Sequence, residues 1–373
     1  MAQNNSFRTR DQLPAVPAPV LQALADAGAP FDLAAAVPEP QDAPALCWGI
    51  LGAGGIASTF ATDVPAFSSG RIVAVGSRDR ARAQAFIDAH PDAGKGQPVH
   101  AHGSYEALVD DPDVDAVYVA TPHNFHCEQA LLALTAGKPV LVEKSFARNA
   151  AEARRVFDAA RAAGLFAMEA MWTRFLPGQV LARALAGSGA LGELRYVRAE
   201  HFQSLEHVQR LVRLDLAGGA LLDLGVYSVS FVHSLLGVPS ALTAVGRLSS
   251  GGVDLDETIA MEYPGAVAVA ASSMAAASDT GAEVVGTRGR LVVQKRFYRP
   301  TPLQIVVGEG PGVPRYEWDA SLPGGFQFQA AEVARCLAAG RTESETMPWS
   351  ETLAVLETMD EVRGRLGVIY PGE

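Results

Sequence analysis

From Cys47 onward, short apolar runs alternate with longer segments in which apolar residues recur every three to four positions. The runs Cys47–Leu51, Ile72–Gly76, Ala116–Ala120, Pro139–Val142 and Phe166–Met168 predict buried strands. Between them, Gly55–Phe67, Arg80–Ala89, Tyr105–Asp110, Phe125–Ala136 and Ala150–Ala163 predict helices, the last two stopped by Gly137 and Gly164. Strict alternation of this kind predicts an α/β domain with a doubly wound parallel sheet and right-handed crossovers.

The second half reads differently. Pro177–Ala186 and Gly219–Leu236 have helical periodicity. Strand-like runs follow at Leu194–Phe202, Ala241–Leu248, Ile259–Tyr263, Val267–Ser273, Ala282–Val285, Arg290–Val293 and Gln304–Val307. Tight turns such as Tyr263-Pro264-Gly265-Ala266 join several neighbours, which favours a mostly antiparallel open sheet in an α+β domain. Helices at Phe328–Ala339 and Ser350–Leu366 close the chain. The expected division is therefore an extension over 1–44, a Rossmann domain over 45–171 and an α+β domain over 172–373. In the proline- and alanine-rich extension, Pro19–Ala27 is the one segment that could form a short helix.

Composition narrows the class. The 373 residues are 49% apolar with a net charge of −11, as expected of a folded, enzyme-sized chain. The acidic balance argues against nucleic acid or an anionic membrane as a bulk partner. Cys47, Cys127 and Cys336 are odd in number and far apart, so they offer neither zinc spacing nor a disulfide framework, and no metal is expected. No uninterrupted apolar run reaches the roughly 18 residues of a membrane span. Met1–Arg10 is polar, without the apolar core of a secretory signal, and the expected location is the cytoplasm.

The chemistry starts at the first strand–helix junction, Leu51-Gly52-Ala53-Gly54-Gly55-Ile56-Ala57. Gly52 permits the tight turn, Gly54 lets the backbone approach a pyrophosphate, and Ala57 lets the helix pack on the strand. The N-terminus of that helix, with Gly55 and Ile56, offers N–H groups and a positive dipole end to an anion. The second strand ends in Ser77-Arg78-Asp79. An acidic residue at that strand end suits the ribose 2′-hydroxyl of NAD, whereas Ser77 and Arg78 suit a 2′-phosphate, which favours NADP over NAD. Asp79 reads as the cap of the following helix. Loops at the carboxyl ends of later strands add Thr121, Pro122 and His126, with His126 expected to face the nicotinamide ribose, and then Glu143 and Lys144. A lysine there could donate to a substrate hydroxyl or lower the pKa of a neighbouring acid. Asp223 and Tyr227 are i and i+4 on a helix, an acid and a phenol on one face that could serve proton transfer. Each also has a plain structural reading as a cap or a packed ring.

Together these stretches resemble the glucose–fructose oxidoreductase/inositol dehydrogenase (Gfo/Idh/MocA) family over about residues 46–371. Met168-Glu169-Ala170-Met171-Trp172-Thr173-Arg174-Phe175-Leu176-Pro177 is the most specific stretch. With Gly218–Tyr227, Ser77-Arg78-Asp79 and Met347-Pro348-Trp349, it resembles the branch of dimeric dihydrodiol dehydrogenases and NADP-dependent D-xylose 1-dehydrogenases. The resemblance implies Tyr227 as acid/base, Lys144 as its electrostatic support, and Asp223 orienting the substrate hydroxyls or the lysine. It also implies a homodimer formed through the carboxy-terminal sheet. Trp172, Arg174 and Phe175, with Phe297, are candidates to line the substrate pocket. The family's usual Glu-Lys-Pro is Glu143-Lys144-Ser145 here, a departure that bears on where Lys144 sits.

The expected activity is NADP-dependent hydride transfer at a secondary alcohol or hemiacetal carbon of a sugar or cyclic trans-diol. Two alternatives remain open from the sequence. One is an enzyme that keeps its nicotinamide cofactor and oxidises, then re-reduces, a sugar with no net redox change. The other is a non-catalytic NADP-binding regulatory protein, against which the intact Lys, Asp and Tyr set argues.

Overall fold

The computed structural model describes residues 9–310 and 312–373. Residues 1–8, most of the stretch read above for a secretory signal, lie outside the described residues. The amino-terminal extension is helical where its apolar residues recur. Helix α1 (Ala18–Asp26) buries Val20 and Leu24, and α2 (Leu33–Ala36) follows with Asp32 as its cap. The chain forms two units, each assembled from separated segments. The first comprises residues up to Asp11, 38–172 and 324–353, and the second 12–37, 173–323 and 354–373.

In the first unit the alternation is β1 (Cys47–Leu51), α3 (Gly55–Phe67), β2 (Arg71–Gly76), α4 (Arg80–Asp88), β3 (His100–His102), α5 (Tyr105–Val109), β4 (Ala116–Val119), α6 (His126–Thr135), β5 (Val140–Glu143), α7 (Ala150–Ala163) and β6 (Ala167–Ala170). Every pairing is parallel and the strand order is β3-β2-β1-β4-β5-β6. The order reverses at β1, so the loops after β1 and β4 diverge at the crevice where such sheets hold ligands. Its central strands are buried throughout, which is why they read as continuous apolar runs.

The second unit begins after a 3-10 turn (Trp172–Phe175) with α8 (Pro177–Gly187) and β7 (Leu194–Phe202). A π-turn (Leu221–Gly225) leads into α9 (Val226–Leu236). Strands β8 (Ala241–Leu248), β9 (Asp254–Tyr263), β10 (Ala266–Ser273), β11 (Ala282–Gly286), β12 (Gly289–Val293), β13 (Leu303–Val307) and β14 (Arg315–Trp318) complete an eight-stranded sheet. Its order is β14-β13-β12-β11-β7-β10-β9-β8, antiparallel except for β7 with β10. Burial alternates along these strands, so one face is covered and the other is open. Helix α10 (Phe326–Ala338) returns to the first unit, and α11 (Trp349–Leu366) ends the helical order.

Residues 214–236 form a helical run long and apolar enough to cross a membrane by length and composition, but 83% of its most apolar window is buried. Its side chains therefore belong to the core of the second unit.

Candidate functional site

At the end of β1, Gly52 adopts φ +103°, and a Cβ there would lie 2.8 Å from the carbonyl oxygen of Ala120. Only glycine fits this close passage of the β1 loop against the end of β4. Gly54 and Gly55 differ: a Cβ on either would meet no atom within 4 Å. The space above them is open, as a backbone cradle for a pyrophosphate requires. The first helical bond of α3 runs from Ser58 N to Gly54 O. The N–H groups of Gly55, Ile56 and Ala57 thus face the open end of the helix. Ala57 itself is fully buried. These residues fit a dinucleotide.

Ser77 is buried, and its N–H donates to the carbonyl of His102 at 3.2 Å. Oδ1 of Asp79 accepts the N–H of Ala81, capping α4. The acid near this strand end is therefore engaged as a cap, while the Arg78 side chain is exposed beside it.

His126 departs from its expected role. Its ring is fully buried, with Nδ1 2.9 Å from the carbonyl oxygen of Ser145 and Nε2 2.7 Å from that of Thr121. Burial pushes its pKa down, and the nearby Lys144 charge adds to this. The imidazole joins the loops after β4 and β5 and does not point outward. Glu143 is likewise buried, accepting the Tyr118 hydroxyl at 2.5 Å, with Tyr118 stacked on Phe60. Both side chains are buried and engaged by protein groups, as posts behind the loops after β4 and β5. Thr121 donates its hydroxyl to Gln129, and Pro122 precedes a 3-10 turn over His123–Phe125.

Lys144 is half-buried and the Lys144–Ser145 peptide is cis. The backbone just beyond it is fastened at two points. Ser145 O contacts His126, and the N–H of Phe146 donates to Oε1 of Glu169 at 3.1 Å. Glu169, fully buried on β6, also accepts the Thr352 hydroxyl through Oε2 at 3.0 Å. Sequence reasoning quoted Glu169 only as part of a motif. Glu169 ties the backbone just after Lys144 to α11.

In the second unit, Asp223 sits within the π-turn and Tyr227 on the first turn of α9, both nearly buried. The helix expected there is interrupted, because hydrogen bonds from i to i+5 widen the backbone around Asp223. Such turns recur at functional sites. Oδ1 of Asp223 pairs with Arg210 at 3.0 Å. Tyr227 lies against His201 (centroids 5.1 Å) and Tyr298 (5.4 Å), with Tyr298 stacked on His201 at 4.2 Å. Gln203 reaches the Tyr298 hydroxyl at 3.2 Å. His201, Gln203 and Tyr298 were missed because they come from β7 and a distant loop, with no motif to single them out.

Arg174 is tied to α9. It is buried, with Nε donating to Ser230 Oγ at 3.0 Å and Nη2 to Ser230 O at 2.8 Å. It clamps the 3-10 turn to α9. Phe297 is a core ring, packed on Phe231 at 5.5 Å. Phe175 is buried too. In the first unit, Trp172 packs on Phe326 at 4.8 Å.

Residues 46–171 match the model of an oxidoreductase family with an NAD-binding Rossmann fold, GFO_IDH_MocA, and residues 180–292 match the GFO/IDH/MocA C-terminal domain. The chain belongs to the Gfo/Idh/MocA family. As a member it is an oxidoreductase with an NAD(P)-binding Rossmann domain. It is 40% identical over 338 residues to trans-1,2-dihydrobenzene-1,2-diol dehydrogenase of Bos taurus, covering 88% of this chain and 98% of that protein. It is 36% identical to the NADP(+)-dependent D-xylose 1-dehydrogenase of Hypocrea jecorina, covering 87% and 93%. Among solved structures, a 3-ketoreductase from Actinomadura kijaniata in complex with NADP and TDP-benzene superposes with a TM-score of 0.76 at 26% identity, over 86% of this chain and 98% of that one.

Proposed function

We propose that this Gfo/Idh/MocA chain is an NADP-dependent dehydrogenase acting on a secondary alcohol or hemiacetal carbon of a sugar or cyclic trans-diol. The observation that carries the cofactor reading is Arg78, exposed beside the end of β2, while the neighbouring acid caps α4. Gly52, Gly54, Gly55, Ile56 and Ala57 would hold the pyrophosphate, and Ser77 and Arg78 the 2′-phosphate. Thr121 and Pro122 line the same crevice. Bound there, the nicotinamide supplies the group that accepts or returns hydride.

The chain's own residues handle the proton. Tyr227, as its phenolate, accepts the proton of the substrate alcohol as it is oxidised, and as the phenol it returns that proton in the reverse direction. A free phenol titrates near 10, so this role needs a cation to favour the phenolate, and Lys144 is the residue assigned to it. Asp223 orients substrate hydroxyls, with Arg210 holding its carboxylate. Trp172 offers an aromatic face to the apolar side of a sugar or diol ring. General-base assistance of this kind contributes about 10²–10⁴-fold. The substrate class rests on similarity to diol and sugar dehydrogenases.

The open face of the second unit's sheet supports a homodimer. Val245 and Val267 are 70% and 53% exposed on it, flanked by the Arg198–Glu283–Arg290 ion pairs. The free thiols of Cys47, Cys127 and Cys336 suit a reducing cytoplasm.

The test is a panel of pentoses, hexoses, inositols and arene dihydrodiols with NADP or NAD, followed by reduced-nicotinamide absorbance. A rise with NADP and one substrate class supports the reading. Product formation without any net absorbance change would point to a cofactor recycled within each turnover.

A further inference from the structure

The edge strand β3 reads His100-Ala101-His102. Side chains two apart on a strand share a face, and here both imidazoles turn to one carboxylate oxygen. Nδ1 of His100 and Nε2 of His102 each lie 2.8 Å from Oδ2 of Asp111. The three atoms lie within 4.8 Å of one another, and among the described residues no other group of three His, Cys, Asp or Glu side chains is so arranged.

The carboxylate is held in place by groups other than the histidines. Its Oδ1 accepts the N–H of Asp113 at 2.9 Å, and the Asp111 carbonyl accepts Lys138 Nζ at 3.0 Å. Exposure is graded across the cluster, from 47% for the His100 side chain to 4% for Asp111. One side thus opens to solvent.

We propose that His100, His102 and Asp111 bind a divalent transition metal, zinc in particular, with a fourth position open to water. Two imidazole nitrogens and one carboxylate oxygen are a recurrent zinc donor set, at about 2.0–2.2 Å and in tetrahedral geometry. A tetrahedron with such bonds sets its ligand atoms roughly 3.3 Å apart. The two nitrogens must therefore move outward slightly from Asp111, and the exposed His100 ring can swing. Calcium and magnesium favour oxygen-only shells, so the nitrogen pair selects against them. An ion here fastens a three-residue edge strand to the segment after α5. Because Ser77 hangs from the His102 carbonyl, it also braces the end of β2. The inference does not depend on the proposed substrate or on any catalytic step.

Calorimetric titration of the full chain with Zn²⁺ tests it, beside thermal melts with and without Zn²⁺. The expected result is one ion per chain, bound at least tenfold more weakly by His100→Ala and His102→Ala, on the scale of losing a ligand or its support. The unfolding midpoint should rise with Zn²⁺ in the native chain and not in His100→Ala. His100 is the exposed member, so its variant is the one expected to fold normally. A visible ligand-field band with Co²⁺ alone, lost in His100→Ala, gives a second readout. No saturable Zn²⁺ binding, or binding and Co²⁺ absorption unchanged in His100→Ala, overturns the proposal.

Discussion

Oδ2 of the buried Asp254 accepts the backbone N–H of Leu221 at 2.5 Å, where the π-turn carrying Asp223 begins. Gly219, at φ +117°, makes room for this: a Cβ there would lie 2.1 Å from Oδ1 of the same carboxylate. The acid thus fixes the entry to the segment that presents Asp223 and then Tyr227.

Glu257 lies on the same strand, fully buried, and accepts the Ser272 hydroxyl. Burial, then the charges of Asp254 and Asp256, push its pKa well above the ordinary value of 4.5. A raised folded value means that the native chain retains a proton that the unfolded chain releases above that pH. Its stabilising contribution is full below pH 4.5 and is lost as pH rises through the folded value. Urea unfolding at about pH 5 and pH 8 should show Glu257→Gln losing less stability with rising pH than the native chain. An identical pH dependence would show that Glu257 is not the proton holder.

His126 works in the opposite sense. Its folded pKa is lowered by burial and by Lys144, so its contribution is present above about pH 6.5 and is lost as pH falls through the folded value. The native chain should lose stability below pH 6.5, and His126→Gln should remove that part of the slope. Denaturant midpoints from about pH 7.5 to pH 5 make the comparison.

The two kinds of glycine in the opening turn separate fold from function. Gly54→Ala has open space around the new methyl and φ −109°, so stability should change by less than about 1 kcal/mol. Cofactor affinity should nevertheless fall about tenfold or more, near 1.4 kcal/mol. Gly52→Ala forces a methyl against the Ala120 carbonyl at positive φ and should destabilise by about 1–3 kcal/mol. Thermal melts and cofactor titration read the two effects.

Arg78→Ala should weaken NADP about 10–100-fold, the loss of one charge-assisted contact of about 1.5–3 kcal/mol, and leave NAD nearly unchanged. Equal losses for both would mean that the arginine does not read the 2′-phosphate. Dissociation constants for the two cofactors decide it.

Much of this was legible in the chain. Buried parallel strands announce themselves as apolar runs, and β1, α3, α7, β7 and β8 fall on the residues their patterns mark. His100–His102 and Arg315–Trp318 were not legible as strands, because short polar edges carry no apolar run. The π-turn was hidden for a different reason: helical periodicity over Gly219–Leu236 does not register one widened turn. At the site, spacing marked the glycine cradle and the Asp223–Tyr227 pair. It could not tell which polar residues the fold buries. Arg174, His126 and Glu143 look chemical in sequence, yet all three are buried against Ser230, two backbone carbonyls and Tyr118. Asp254 and Glu257 were illegible because buried strand positions predict apolar side chains, and the hold of Asp254 on the π-turn is tertiary.

The most direct measurement is the single-turnover rate of hydride transfer in Tyr227→Phe, with NADP and substrate saturating. The account predicts a rate about 10²–10⁴-fold below that of the native chain with NADP affinity unchanged. A rate equal to the native one would contradict it and remove Tyr227 from the mechanism.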